Sequence, residues 1–294
     1  MVDNLEFTGE RFTPECEREI WYEHLHRYAL AARLCRGANV LDAACGEGYG
    51  SSLLAQDAAS VIGVDVDEQT VQHAGVRYSN QDNLEFRTAD CTQLPFNDDH
   101  FDVIISFETL EHLSAQEALI SEFHRVLKPE GFLMLSSPDK AEYSEKQGNQ
   151  NEFHIKELYR EELVGVISVK FPVCHLFGQK LMFHSAIWDL QGVGDVDLQT
   201  FTSEGNVSNG KILHSPTYFI ALCAASEEYL PDLSGSLSLF DDIEESVYTH
   251  YHHEIRKNMA AGGALAELDA QVNALKAELQ RRQPSWWQRL LGKN

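Results

Sequence analysis

The stretch VLDAACGEGYGSSLLA, Val40 to Ala55, constrains this chain more than any other. Val40 and Leu41 close a buried strand, Gly46, Gly48 and Gly50 let the backbone turn tightly and approach a ligand, and Leu53, Leu54 and Ala55 open a helix. A strand, a glycine-rich turn and a helix form a seat for a small charged metabolite. The spacing is G-x-G-x-G, with Ser51 and Ser52 where a dinucleotide fingerprint wants its third glycine, so the loop alone leaves the ligand open.

Three later stretches narrow the choice. SVIGVDVDEQTV, Ser60 to Val71, reads as a second buried strand ending at Asp65, where a carboxylate can take both hydroxyls of a ribose. LEFRTADCTQLPF, Leu84 to Phe96, is a third strand followed by Asp90 and Cys91, a carboxylate acceptor and a backbone N–H for an adenine edge. FDVIISFETLEHL, Phe101 to Leu113, supplies a fourth strand, and RVLKPEGFLMLSSP, Arg125 to Pro138, a helix end, a turn and a fifth. This alternation demands a mostly parallel sheet with helices on both faces and a ligand at the carboxyl ends of its strands.

With these elements in order, the chain resembles the class I S-adenosylmethionine-dependent methyltransferases, especially the type 11 group found among polysaccharide and O-antigen biosynthesis proteins. The resemblance runs from Thr8 to Gln179, and GERFTPE, EHLHRYALA, FETLEHL and NEFHIKELYREEL point to the sugar-modifying branch. It implies an α/β, Rossmann-like, doubly wound sheet of seven mostly parallel strands. SPTYFIALCAA, Ser215 to Ala225, would be its antiparallel C-terminal strand, and S-adenosyl-L-methionine the cofactor. Asp42 would then orient the loop or receive the methionine ammonium, and the backbone around Ala44, Gly46 and Gly48 would pass the methionine portion. Asp65 would take the ribose, Val66 would cover the adenine, Asp90 and Cys91 would bind its edge, and Phe107 would line the methionine pocket. In the resembling family a helix near Glu15 to Leu34, here with Trp21, Leu25 and Tyr28 on one face, caps the cofactor.

Methyl transfer from a sulfonium to oxygen is an in-line displacement that asks chiefly for alignment and exclusion of water. An alcohol acceptor also gains about 100-fold or more from a base that removes its proton. His112 in FETLEHL follows the fourth strand and ranks first as that base, with His154 in NEFHIKEL second, as a base or a hydroxyl ligand. Tyr22, His26 and Arg27 on the entry helix and Glu108 after the fourth strand are the acceptor-binding candidates. SFET stands where amino-methyltransferases of DNA adenine or protein glutamine carry Asn or Asp followed by two prolines and an aromatic, which disfavours base or amide methylation. No cluster has a spacing that names a metal site.

The formal charge of −23 opposes long-range attraction to phosphates and removes nucleic acid from the partners. Six scattered cysteines without C-x-x-C pairs read as reduced thiols. No apolar run approaches the ~20 residues that span a bilayer, and the first ten residues lack signal-peptide character, so the expectation is a cytoplasmic protein.

The chain divides into a cap-helix region at 1–36, a methyltransferase domain at 37–226 with a variable acceptor insertion at 180–214, an acidic linker at 227–263, and a tail at 264–294. Leu265, Leu268, Val272, Leu275 and Leu279 alternate three and four apart as in a coiled-coil seam, pointing to a homo-oligomer or to a helix packed on its own domain. Trp286, Trp287, Leu290 and Leu291, among basic residues, suit the inner face of a membrane or a glycosyltransferase partner. The acceptor reads as a sugar hydroxyl in a surface glycan. The alternatives are a small metabolite such as a quinone or polyketide, or a non-catalytic S-adenosylmethionine-binding assembly subunit.

Overall fold

A computed structural model describes residues 19–187, 198–201, 207–210, 212 and 214–282. It divides into two units, 1–240 and 241–294. The first is built on seven strands: β1 (Asn39–Ala43), β2 (Ser60–Asp65), β3 (Leu84–Thr88), β4 (Phe101–Ser106), β5 (Leu127–Pro138), β6 (Val173–Gln179) and β9 (Tyr218–Ala224), in the order β3-β2-β1-β4-β5-β9-β6. The first five run parallel, and β9 is antiparallel to both of its neighbours. In the 180–214 insertion, β7 (Gln199–Phe201) and β8 (Val207–Asn209) form a separate antiparallel pair.

The strands are apolar on both faces because helices cover both. Leu41, Val64, Ile104 and Leu133 point to one side and pack with Leu119 and Phe123 of α4 (Gln116–Val126) and Leu163 and Ile167 of α5 (Arg160–Ser168). Their neighbours Val40, Val103, Ile105 and Met134 point to the other side, where they meet Ala31 of α1 (Glu19–Leu34) and Leu54 of α2 (Tyr49–Leu54). That period of two within continuous apolar runs is what a doubly covered parallel sheet requires. α3 (Glu68–Arg77) starts at Asp67, whose side chain accepts from the backbone N–H groups of Gln69 and Thr70.

Two local expectations change, and one falls partly outside the described residues. The entry helix is described from Glu19, and Glu15 lies outside the described residues. The pattern KELYREELVGVI predicts a helix from Lys156, but α5 begins at Arg160 because Tyr159 takes the cap position, its N–H donating to Glu162 at 3.0 Å. Leu158 is instead drawn into a bridge with Asp139. The linker also does not extend to 263, since α6 (Ser246–Arg282) starts within it. Asp242 caps that start, accepting from Ser246 N at 3.1 Å and Ser246 Oγ at 2.7 Å, and Gly262 and Gly263 are carried through the helix. The seam residues Leu265 to Leu279 lie exposed along α6, while Trp286 and Trp287 lie outside the described residues. Among the described residues no helix is long and apolar enough to cross a membrane, and five cysteines are free.

Candidate active site

The strand order brings the carboxyl ends of β2, β1 and β4 side by side, with Asp42 opposite Gly63 on one flank and Ile105 on the other. The loop leaving β1 then takes left-handed backbone at Ala44 (φ 60°), Gly46 (φ 55°) and Gly48 (φ 92°). Ala44 is the costly one, because a Cβ disfavours that region. A Cβ on Gly48 would also fall 2.8 Å from the Phe86 ring, and one on Gly50 2.1 Å from the ring of Tyr28. The glycine at position 50 therefore serves contact with a side chain of α1.

Fixed partners hold this loop. Gly46 N donates to Asp65 Oδ2 at 2.9 Å, and Asp67 N donates to Asp65 Oδ1 at 3.0 Å. Buried Glu47 anchors the loop to α3 through Arg77 at 3.0 Å, His73 at 3.3 Å and the Tyr78 hydroxyl at 2.9 Å. Asp42 has no exposed surface and accepts from Ser51 Oγ at 2.6 Å and the Tyr28 hydroxyl at 3.1 Å. Burial pushes its carboxyl up to about 6 although both hydrogen bonds pull it down.

Beside the loop, Val66 is 74% exposed between Asp65 and the end of β3, where Ala89 N donates to Asp65 O at 2.9 Å. Asp90 is exposed, with Oδ1 accepting from Thr92 N and Oγ1, and Cys91 is buried. An exposed apolar face flanked by two carboxylates fits an adenosine. A carboxylate has about four lone-pair sites, so the two N–H bonds at Asp65 leave capacity for two ribose hydroxyls.

Consecutive residues of α1 reach two different regions. Tyr28 contacts Asp42 and packs edge-on against Phe107 at 5.0 Å, on the donor side. Arg27, 1% exposed, donates to Gln179 Oε1 at 2.9 Å, lies 5.0 Å over the Tyr218 ring and stands 3.7 Å from Glu108. Its Nε and Nη2 are buried without a hydrogen-bond partner among the described residues. Arg27 also lines a cavity of about 810 Å³ together with Tyr22, Glu23, His26, Tyr159 and Lys180. Burial raises the Glu23 carboxyl to about 7 against the pull of Arg27 and the Tyr218 hydroxyl.

His112 and His154, 42 positions apart, meet edge-to-face with ring centroids 4.9 Å apart. His112 Nδ1 lies 3.0 Å from the Phe153 carbonyl and His154 Nδ1 2.5 Å from Glu157. Carbonyl and carboxylate oxygens only accept, so in both rings Nδ1 carries a proton. Glu111, in the turn Leu110–His112, has no exposed surface, and burial followed by the charge of Glu108 holds its carboxyl well above the usual range. Glu108 itself has φ 50° and accepts from Ser136 Oγ at 2.5 Å.

Tyr22, His26 and Arg27 thus come to one cavity, Asp42 to Cys91 to one edge of the sheet, and His112 to His154. Sequence reasoning missed Glu157, the braces at Glu47, and the Tyr143 ring stacked on His154 at 5.5 Å. Of these only Glu157 leaves a local trace, three residues after His154.

A family described as "Methyltransferase domain" matches residues 41–135. The chain is 38% identical over 186 residues to the "Probable S-adenosylmethionine-dependent methyltransferase" of Mycolicibacterium smegmatis, spanning 62% of this chain and 70% of that protein. It is 37% identical over 180 residues to the protein of like description from Mycobacterium tuberculosis, spanning 59% of this chain and 65% of that one, just under two thirds of its length. In fold it is similar to the YcgJ protein of Bacillus subtilis, with a TM-score of 0.52 at 18% identity over 69% of this chain and 100% of the other. The chain belongs to the S-adenosylmethionine-dependent methyltransferases, and S-adenosyl-L-methionine is its cofactor.

Proposed function

We propose that this methyltransferase acts on a hydroxyl oxygen of a sugar, in a nucleotide-sugar, lipid-linked glycan or growing surface polysaccharide. The observation that carries this reading is the cavity beside α1. It is large enough for a sugar with an attached group and combines aromatic faces at Tyr22 and Tyr159 with polar groups of both signs, among them Glu23, Asp139, Arg160 and Lys180. Such a lining suits a polyhydroxylated acceptor.

When bound, S-adenosylmethionine supplies a methyl group on a sulfonium whose C–S bond breaks, its electron pair staying on sulfur, as the acceptor oxygen bonds to the methyl carbon. Asp65, Val66, Asp90 and the backbone of Ala44 to Gly48 hold the donor. Tyr28 and Phe107 wall it, and Arg27 orients the acceptor. The hydroxyl proton passes to the Nε2 lone pair of His112, whose tautomer is set by the Phe153 carbonyl.

Surface glycan from a deletion strain, compared by mass spectrometry with wild type, should lack a methyl ether that the gene restores. Purified chain should methylate the unmodified glycan, and His112→Ala should lower turnover about 100-fold with donor affinity unchanged. Identical glycans in the two strains, with methylation of a quinone or polyketide instead, would refute the acceptor assignment.

A further inference from the structure

We propose that Glu111, His112 and His154 hold a divalent metal ion. One ligand atom from each of the three lies within 4.8 Å of the others, close enough for one ion to bridge them. Two imidazoles and one carboxylate are a recurrent ligand set for first-row transition ions, and they leave further coordination positions open.

The orientation of each ligand supports this reading. Metal-binding histidines usually donate the second ring N–H to a carbonyl or a carboxylate, which fixes the tautomer and raises the basicity of the other nitrogen. His112 makes the first arrangement, with Phe153, and His154 the second, with Glu157. Glu157 is itself fixed by a hydrogen bond from Ser144 Oγ. With Nδ1 anchored in each ring, Nε2 is the nitrogen that would meet an ion.

Glu111 adds an independent observation. Its side chain is fully buried, and among the described residues no group of another residue hydrogen-bonds to either carboxylate oxygen. A buried carboxyl is normally hydrogen-bonded or paired, so this one lacks what burial demands. Arg27 faces Glu108 at 3.7 Å, and a bound dication would supply the partner that the buried Glu111 carboxylate lacks.

The frame is also rigid across the sequence gap. The Glu111 carbonyl accepts from both Ile155 N and Lys156 N at 2.9 Å, clamping the loop that carries His154 onto the turn that carries the other two ligands. Mixed nitrogen and oxygen donors favour manganese, iron, cobalt or zinc over calcium, which takes oxygen alone. On the proposed sugar reading, an acceptor oxygen would fill an open position and its hydroxyl proton would become more acidic. With Nε2 on the ion, His112 would be a ligand, and the hydroxyl proton would pass to a solvent water in place of the imidazole. That role rests on the acceptor assignment, whereas the binding itself does not.

The test uses full-length, tag-free chain stripped with a chelator and titrated with MnCl2, free Mn2+ being followed by its electron paramagnetic resonance signal. One Mn2+ should bind per chain, and Glu111→Gln and His154→Gln should each weaken binding at least tenfold. Glu157→Gln, which removes only the carboxylate anchoring His154, should weaken it by about 10- to 100-fold. Titration with S-adenosylhomocysteine reports folding, since the donor residues lie on other loops, and Glu157→Gln keeps the test open if a ligand variant fails it. Wild-type chain that retains no stoichiometric Mn2+, or equal affinity in all three variants, would overturn the proposal. Stoichiometric Mn2+ without methylation of any sugar would uphold the metal and sink the acceptor. Sugar methylation untouched by exhaustive chelation, with no Mn2+ bound, would do the reverse.

Discussion

Asp65→Ala gives the sharpest test of the donor site, because the geometry separates two jobs that one carboxylate performs. Its oxygens accept from Gly46 N and Asp67 N, and its remaining lone pairs are the capacity assigned to the ribose. Hydrogen bonds to a charged group contribute about 1.5 to 3 kcal/mol, so losing the ribose contact should weaken S-adenosylhomocysteine by about one to two decades. Loss of the two loop braces would add a penalty common to every donor analogue. The assay is calorimetric titration of wild type and Asp65→Ala with S-adenosylhomocysteine and with its 2′-deoxy form. Wild type should bind the deoxy compound more weakly by at least tenfold, and the variant should no longer distinguish the two. If the variant discriminated as strongly as wild type, the ribose assignment would be wrong and Asp65 would be a loop brace alone. Asp65→Asn does not rescue, because its amide NH2 would face one of the two backbone N–H donors.

Gly50→Ala should lower stability by about 1 to 3 kcal/mol, since its Cβ would sit inside the Tyr28 ring, whereas Gly165→Ala on α5, with open space around it, should raise it by about 0.5 to 1 kcal/mol; thermal melts of the two variants decide. The fully buried Asp42, with its pKa raised to about 6, favours the fold most while protonated, so that contribution is complete below the ordinary carboxylate pKa and disappears as pH rises through 6. Wild type should therefore lose about 3 kcal/mol relative to Asp42→Asn between pH 4 and 7 in urea titrations, and parallel curves would contradict the burial argument. The exposed seam on α6 predicts self-association, which Leu268→Glu combined with Leu275→Glu should abolish in sedimentation velocity; unchanged sedimentation would leave the seam without a second copy of the chain.

What the residues alone determined was whatever is written in local order. Buried β-runs alternating with helical patterns specify a doubly covered parallel sheet, because no other arrangement hides strands that are apolar on both faces. The positions of Asp42, Gly46, Asp65 and Asp90 follow at once, since each sits at or shortly after the carboxyl end of a strand and those ends share one edge of a parallel sheet. Helix limits were less legible. The periodicity that predicts a helix from Lys156 cannot register the bridge from Leu158 to Asp139, and the stretch placed in an acidic linker up to 263 is helical from Ser246.

The acceptor side belongs to tertiary structure. His112 and His154 could each be nominated by type and position, but only packing of the loop at Ile155 and Lys156 onto the Glu111 carbonyl brings their rings within 5 Å. Arg27 could be nominated as an acceptor-binding residue by type and position, but its burial between Gln179, Tyr218 and Glu108 depends on β6 and β9, strands about 150 and 190 residues away. Burial and charge compensation are properties of the whole surround. Pattern along the chain therefore specifies which residues end a strand, whereas which polar groups lose water together, and so become reactive, is decided only when distant segments close over them.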